Sequence, residues 1–127
     1  MRRIVVDMQN YLFADAIALA LKNAESDFEV QRSESPDDTI DLCRLCVPYA
    51  LLMEVTGYTP WKLKERLKIG NEVRRTNTHC KIVLIVDENA QKETASAVRQ
   101  AKKDRLIDQF IYGSVSASYL TALIDTL

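Results

Sequence analysis

Tyr49-Ala-Leu-Leu-Met-Glu54 is an apolar run closed by a carboxylate, and Ile4-Val-Val-Asp7 and Ile82-Val-Leu-Ile-Val-Asp87 close in the same way. Short, continuous apolar runs rich in β-branched side chains read as strands buried on both faces. Three such strands, each delivering an acid at its carboxyl end, would gather Asp7, Glu54 and Asp87 into an acidic pocket on the rim where open parallel sheets take their ligands.

Working outward, apolar periodicity alternates between strand and helix along the chain. After the strand at Arg3 to Val6, Tyr11, Leu12, Ala16, Leu19 and Ala20 recur at helical spacing. Phe28 to Gln31 reads as a short edge strand. Ser35-Pro36-Asp37-Asp38 then has the order of an N-cap, a proline in the first turn and acids favoured by the helix dipole, opening a helix that ends near Cys46. Thr59-Pro60 is expected to cap a helix carrying Trp61, Leu63, Leu67 and Val73. Lys81 to Val86 is the fourth strand, Ala90 to Lys103 a helix with Ala95, Val98 and Ala101 inward, and Ile107 to Tyr112 the fifth strand. Ser116 caps the last helix. Strands alternating with helices predict a doubly wound α/β domain, a parallel sheet with helices on both faces, spanning residues 1–127 as one unit.

Composition narrows the functional classes. The chain has 127 residues, 47% of them hydrophobic and 28% charged, which fits a folded globular domain. A formal net charge of -1 supplies no overall basic field for a phosphate backbone, and no helix-turn-helix is left over, so direct nucleic-acid binding is not expected. No apolar window is long enough for a membrane span, and Asp7 interrupts the N-terminal apolar run too early for a signal peptide. Three cysteines without a secreted framework are read as reduced thiols, and the expected location is the cytoplasm. Cys43, Cys46, His79 and Cys80 are a weak zinc candidate, because two clean ligand pairs are lacking. No glycine-rich phosphate loop follows the first strand.

Val-Val-Asp7, Leu-Leu-Met-Glu54 and Asp108-Gln-Phe-Ile-Tyr-Gly113, in this order of elements, resemble the receiver domain of two-component response regulators over nearly the whole chain. That resemblance implies a flavodoxin-like, CheY-like sheet of five parallel strands in the order 2-1-3-4-5. It also implies a phosphoacceptor aspartate ending strand three, an acidic pair on strand one that holds magnesium, a hydroxyl ending strand four and a lysine after strand five. Phosphotransfer needs these groups because a carboxylate attacks phosphorus while cations neutralise the charge that develops.

Most of these places are altered here. Glu54 stands at the phosphoacceptor position, one methylene longer than aspartate, which shifts its carboxylate by about 1.5 Å. Asp7 matches one acid of the pair but Met8 replaces the other. Val86, aligned with the switch hydroxyl, has none to donate, Gly113 stands where the lysine belongs, and Asp87 adds a charge that repels phosphate. Phe110 aligns with the aromatic that changes rotamer in switching receivers.

The prediction is therefore a pseudo-receiver: a bacterial signalling module that works by protein–protein interaction without phosphorylation, and is not an enzyme. Its partner would be an effector, a kinase or another regulator, or a second copy in a homodimer. The family's contact face, made by the fourth helix, fifth strand and fifth helix, would carry Arg99, Lys102, Asp104, Arg105 and Asp108 here. No cofactor is required, although Asp7 and Glu54 offer hard oxygens for weak magnesium binding. The alternatives are a working receiver phosphorylated on Glu54 in a phosphorelay and, third, a metal-dependent phosphohydrolase, against which no Asp-x-Asp motif is found.

Overall fold

Five parallel strands lie in the order β2-β1-β3-β4-β5 in the computed structural model, which describes residues 2–24, 27–87 and 92–127. In chain order the elements are β1 (Arg2–Asp7), α1 (Tyr11–Lys22), β2 (Phe28–Arg32), α2 (Pro36–Cys46), β3 (Ala50–Val55), α3 (Leu63–Thr76), β4 (Lys81–Val86), α4 (Lys92–Lys103), β5 (Gln109–Tyr112) and α5 (Ala117–Asp125). The alternation, the order and the parallel pairing are those predicted. The expected start of the fourth helix at Ala90 lies outside the described residues.

Because successive strand residues face opposite ways, the sheet builds two cores. Ile4, Val6, Leu52, Val83 and Ile85 pack with Ala14, Ile17 and Leu21 of α1 and Leu120 and Ile124 of α5. Val5, Leu51, Met53, Ile82, Leu84 and Val86 pack on the other face with Cys43 and Cys46 of α2, Ile69 and Val73 of α3, and Ala95, Val98 and Ala101 of α4. Each fully buried leucine or isoleucine contributes about 1.5–3 kcal/mol, so the central strands dominate the hydrophobic stabilisation.

Local chemistry sets most of the helix ends. The Asn10 side chain accepts from Phe13 N–H at 3.1 Å to open α1, and Ser116 Oγ accepts from Tyr119 N–H at 3.2 Å to open α5. Pro36, Asp37 and Asp38 fill the first turn of α2 as expected. The third helix departs from expectation: Thr59-Pro60 sits in a loop in which Tyr58 N–H bonds Thr56 Oγ1, Trp61 N–H bonds Tyr58 O and Thr56 N–H bonds Trp61 O. That closed loop delays the helix to Leu63. Strand β5 is likewise shorter than read, starting at Gln109, because the Asp108 carboxylate rather than a backbone carbonyl accepts from Ile82 N–H.

Helix α2 ends at Val47, whose φ of 47° lies in the left-handed region that β-branched residues avoid. Its side chain is 62% exposed, so little packing offsets the strain. Val47→Gly is expected to stabilise the fold by about 1 kcal/mol, read as a higher urea midpoint at unchanged slope.

The amino-terminal edge of the sheet is tied to the end of α5. Tyr49 Oη lies 3.1 Å from Ile124 O and 3.0 Å from Leu127 O. Arg2 pairs with Asp27 and Asp125 and lies over the rings of Phe28 and Tyr49 at 4.6 and 5.1 Å. The hydrogen bond from Arg2 holds the Asp27 carboxyl below its ordinary range.

Candidate functional site

At the carboxyl ends of β3 and β4 a hollow of about 370 Å³ is lined by Asn10, Phe13, Glu54, Ile85, Asp87, Gly113 and Ser114. Glu54 is half-buried there. Its Oε1 accepts from the backbone N–H groups of Gln9 at 2.9 Å and Asn10 at 3.1 Å, at the amino end of α1, where the helix dipole favours an anion. Gly113 closes the opposite wall, where a Cβ would meet Phe13 at 3.5 Å.

The acids expected on this rim part company. Glu54 and Asp87 reach the hollow, but Asp7 is turned by strand alternation to the opposite face, into the layer of α2 and α3. Only 1% of it is exposed. Val86 is also corrected. It pairs with Val55 and Tyr112 and points into the α2–α3–α4 core, so it is absent from the hollow's wall and Asp87 takes the strand-end place there.

Asp7 is instead held by a residue the sequence reading missed. Arg66, on α3 and 0% exposed, donates from Nη1 to Asp7 Oδ2 at 2.7 Å, from Nη2 to Asp7 O at 3.1 Å and from Nε to Glu54 O at 2.7 Å. Thr39 Oγ1 of α2 donates to the same Oδ2 at 2.6 Å. Ser33 Oγ, 2.7 Å from Thr39 Oγ1 and 2.7 Å from Ser35 O, extends the buried polar chain to the loop before α2. Burial pushes the Arg66 guanidinium below its ordinary range, against the opposing pull of Asp7; a guanidinium starts so high that it stays charged. The missed signal was phase: Arg66 shares a helical stripe with Ile69, Gly70 and Val73.

This arrangement does not offer the donor set that a divalent cation takes. Asp7 Oδ2 has two partners, Met8 is buried and apolar, and Glu54 Oε1 has its two N–H groups. Among the described residues, no group of three or more His, Cys, Asp or Glu is placed to hold a metal. That includes Cys43, Cys46, His79 and Cys80: the three thiols are free and buried, and His79 is exposed.

On the α4–β5–α5 side, Phe110 meets Tyr112 edge-on with ring centroids 5.7 Å apart, and Lys102 Nζ lies 5.7 Å from the Phe110 centroid. Lys102 donates to Gln109 Oε1 at 2.7 Å and Arg99 to Tyr112 Oη at 2.7 Å, while Asp104 and Arg105 are exposed. Asp108 does not belong to that exposed set. Its carboxylate pairs with Arg74 of α3 and accepts from Ile82 N–H at 2.8 Å, which fastens the entry to β5.

No protein-family model and no curated protein matches the sequence. Solved structures do. A CheY-like receiver domain protein from Methanospirillum hungatei JF-1 superposes with a TM-score of 0.76 at 12% identity, covering 99% of this chain and 92% of that one. The chain has the fold of a response-regulator receiver domain. The signal receiver domain of the response regulator NarL from Mycobacterium tuberculosis gives a TM-score of 0.75 at 16% identity, over 98% of this chain and 94% of that one. A response regulator from Burkholderia pseudomallei, solved with a phosphorylated aspartic acid, a calcium ion and citrate, gives 0.73 at 16% identity, over 98% of this chain and 66% of that one. The hollow of this chain has the Glu54 carboxylate at the end of β3 and Gly113 just after β5. Among the described residues no helix is long and apolar enough to cross a membrane.

Proposed function

We propose that this chain is a receiver-like signalling module that acts through protein contacts and is not phosphorylated, rather than an enzyme. One observation carries the reading: the described lining of the hollow has two carboxylates, Glu54 and Asp87, and no lysine or arginine. A phosphoryl group brings roughly two negative charges, and without a cation to meet them the transfer lacks its main electrostatic stabilisation. Glu54 Oε1 is moreover turned to the N–H groups of Gln9 and Asn10, which weakens it as a nucleophile.

The contact surface we favour is the groove of α4, β5 and α5, where Lys102, Phe110, Tyr112 and Tyr119 form one wall. Tyr119 is 56% exposed there, and tyrosine beside a lysine is the kind of amphipathic pair that protein interfaces favour. The partner would be an effector, a kinase or another regulator, or a second copy of the chain.

Phosphotransfer is tested by incubating the protein with acetyl phosphate and Mg2+ and measuring intact mass. No phosphoryl adduct is expected. An adduct that maps to Glu54 and vanishes in Glu54→Gln would instead establish a working receiver. Contact through the groove is tested by light scattering and affinity capture, in which Tyr119→Glu is expected to abolish an association that the native chain makes.

A further inference from the structure

The solvent side of α1 is nearly as apolar as its buried side. Leu12 is 82% and Leu19 61% exposed, Ala16 lies exposed between them, and Ala20 is half-buried beside Leu19. Their offsets, i, i+4, i+7 and i+8, are those of a single stripe along a helix, while Ala14, Ile17, Ala18 and Leu21 are buried on the opposite side. A helix that is apolar on both sides is one that is covered on both sides. Next to the stripe, Ala117, Ser118, Thr121 and Ala122 of α5 line an open groove with Ala20 and Ala24, so small side chains leave room for a close approach.

Charge decides what covers the stripe. Asp15 and Lys22, both exposed, stand seven residues apart and therefore lie along one flank of it. When two copies of α1 pack antiparallel about a two-fold axis, like flanks meet, and the acid of each copy faces the lysine of the other. Size selects the same register. Seating Leu19 of one copy midway between Ala16 and Ala20 of the other also sets Asp15 directly opposite Lys22, and symmetry repeats both contacts.

We propose that α1 is a self-association surface, on which a second copy of this chain lays its own α1 antiparallel, with Leu19 between Ala16 and Ala20 of the other copy and Asp15 against its Lys22. This goes beyond the contact through α4, β5 and α5, which uses Tyr119 on the other flank of α5, and it leaves that groove to a different partner.

Sedimentation equilibrium over a concentration series tests the pairing. The native chain is expected to show a monomer–dimer equilibrium. Leu19→Glu changes an exposed position without touching the core, and is expected to raise the dissociation constant by about thirtyfold or more. Asp15→Lys and Lys22→Glu are each expected to raise it about tenfold, because either change makes both cross-pairs repulsive. An equimolar mixture of those two variants is expected to regain native association, since every cross-pair in the mixed dimer again joins opposite charges. Tyr119→Glu, which acts on the other groove, is expected to leave this dimer at native strength. A native chain that stays monomeric would overturn the inference, as would a dimer indifferent to Leu19→Glu, a dimer dissolved by Tyr119→Glu, or a mixture no more associated than its two components.

Discussion

Arg66→Met is expected to lower the free energy of unfolding by about 3–5 kcal/mol, measured by urea denaturation in metal-free buffer. The size follows from burial. Arg66 and Asp7 are 0% and 1% exposed, so removing the guanidinium leaves a carboxylate in the core with only Thr39 as a side-chain donor. It also strips Glu54 O and Asp7 O of a partner each. For a domain whose whole stability is of the order of 5–15 kcal/mol, that is a severe loss. Replacing both members should be far milder, because a buried ion pair exchanged for apolar side chains of similar size is often close to neutral. Asp7→Leu/Arg66→Met is therefore expected to regain most of what the single change lost. A single variant that loses under about 1 kcal/mol would show that the pair is hydrated and weakly coupled.

Alkaline pH should unfold the protein through its buried thiols. Burial pushes Cys43 and Cys80 from 9.0 up to about 12, with the neighbouring thiols adding to the shift on Cys43 and the Arg74 guanidinium opposing it on Cys80. Cys46 moves in the same direction, also by burial. Below the unfolded-state value both folded and unfolded chains keep their protons, and the thiols' contribution to stability is fully present. Between 9.0 and about 12 the unfolded chain gives up protons that the folded chain retains, so each of the two thiols erodes stability by about 1.4 kcal/mol per pH unit. Urea midpoints at pH 8 and pH 10 should differ accordingly, and the difference should shrink in Cys43→Ala/Cys80→Ala. Comparing slopes within each protein separates this effect from the cavities that the alanines leave and from tyrosine and lysine titration. A slope unchanged by removing the thiols would disprove the assignment.

The fold was legible because the central strands are continuous apolar runs, which parallel sheets demand and little else in a small domain produces. Glu54 could be placed at the rim from those runs. Orientation at the strand ends could not: Asp7 and Val86 end apolar stretches as Glu54 and Asp87 do, yet one step of alternation sends the first two to the opposite face. Arg66 was hidden by its charge, although its helical phase marked it as inward. In α1 the difficulty was reversed: in an almost wholly apolar helix the spacing of Tyr11, Leu12, Ala16, Leu19 and Ala20 marks the outer side, whereas Ala14, Ile17, Ala18 and Leu21 are buried and Leu12 is 82% exposed. Asp108 belonged to a surface by position but is claimed by Arg74 and Ile82 N–H, which only three-dimensional contacts reveal.

The fastening of Tyr49 and Arg2 to the last turn of α5 makes the two ends of that helix unequal. Its far end is moored to β1 and to the residue that leads into β3, whereas its near end hangs on the Ser116 cap and the packing of Leu120. Any excursion of α5 that keeps the mooring is a swing about its carboxyl end, so a ligand pushing on Tyr119 would work against a lever with a fixed fulcrum rather than slide a loose rod.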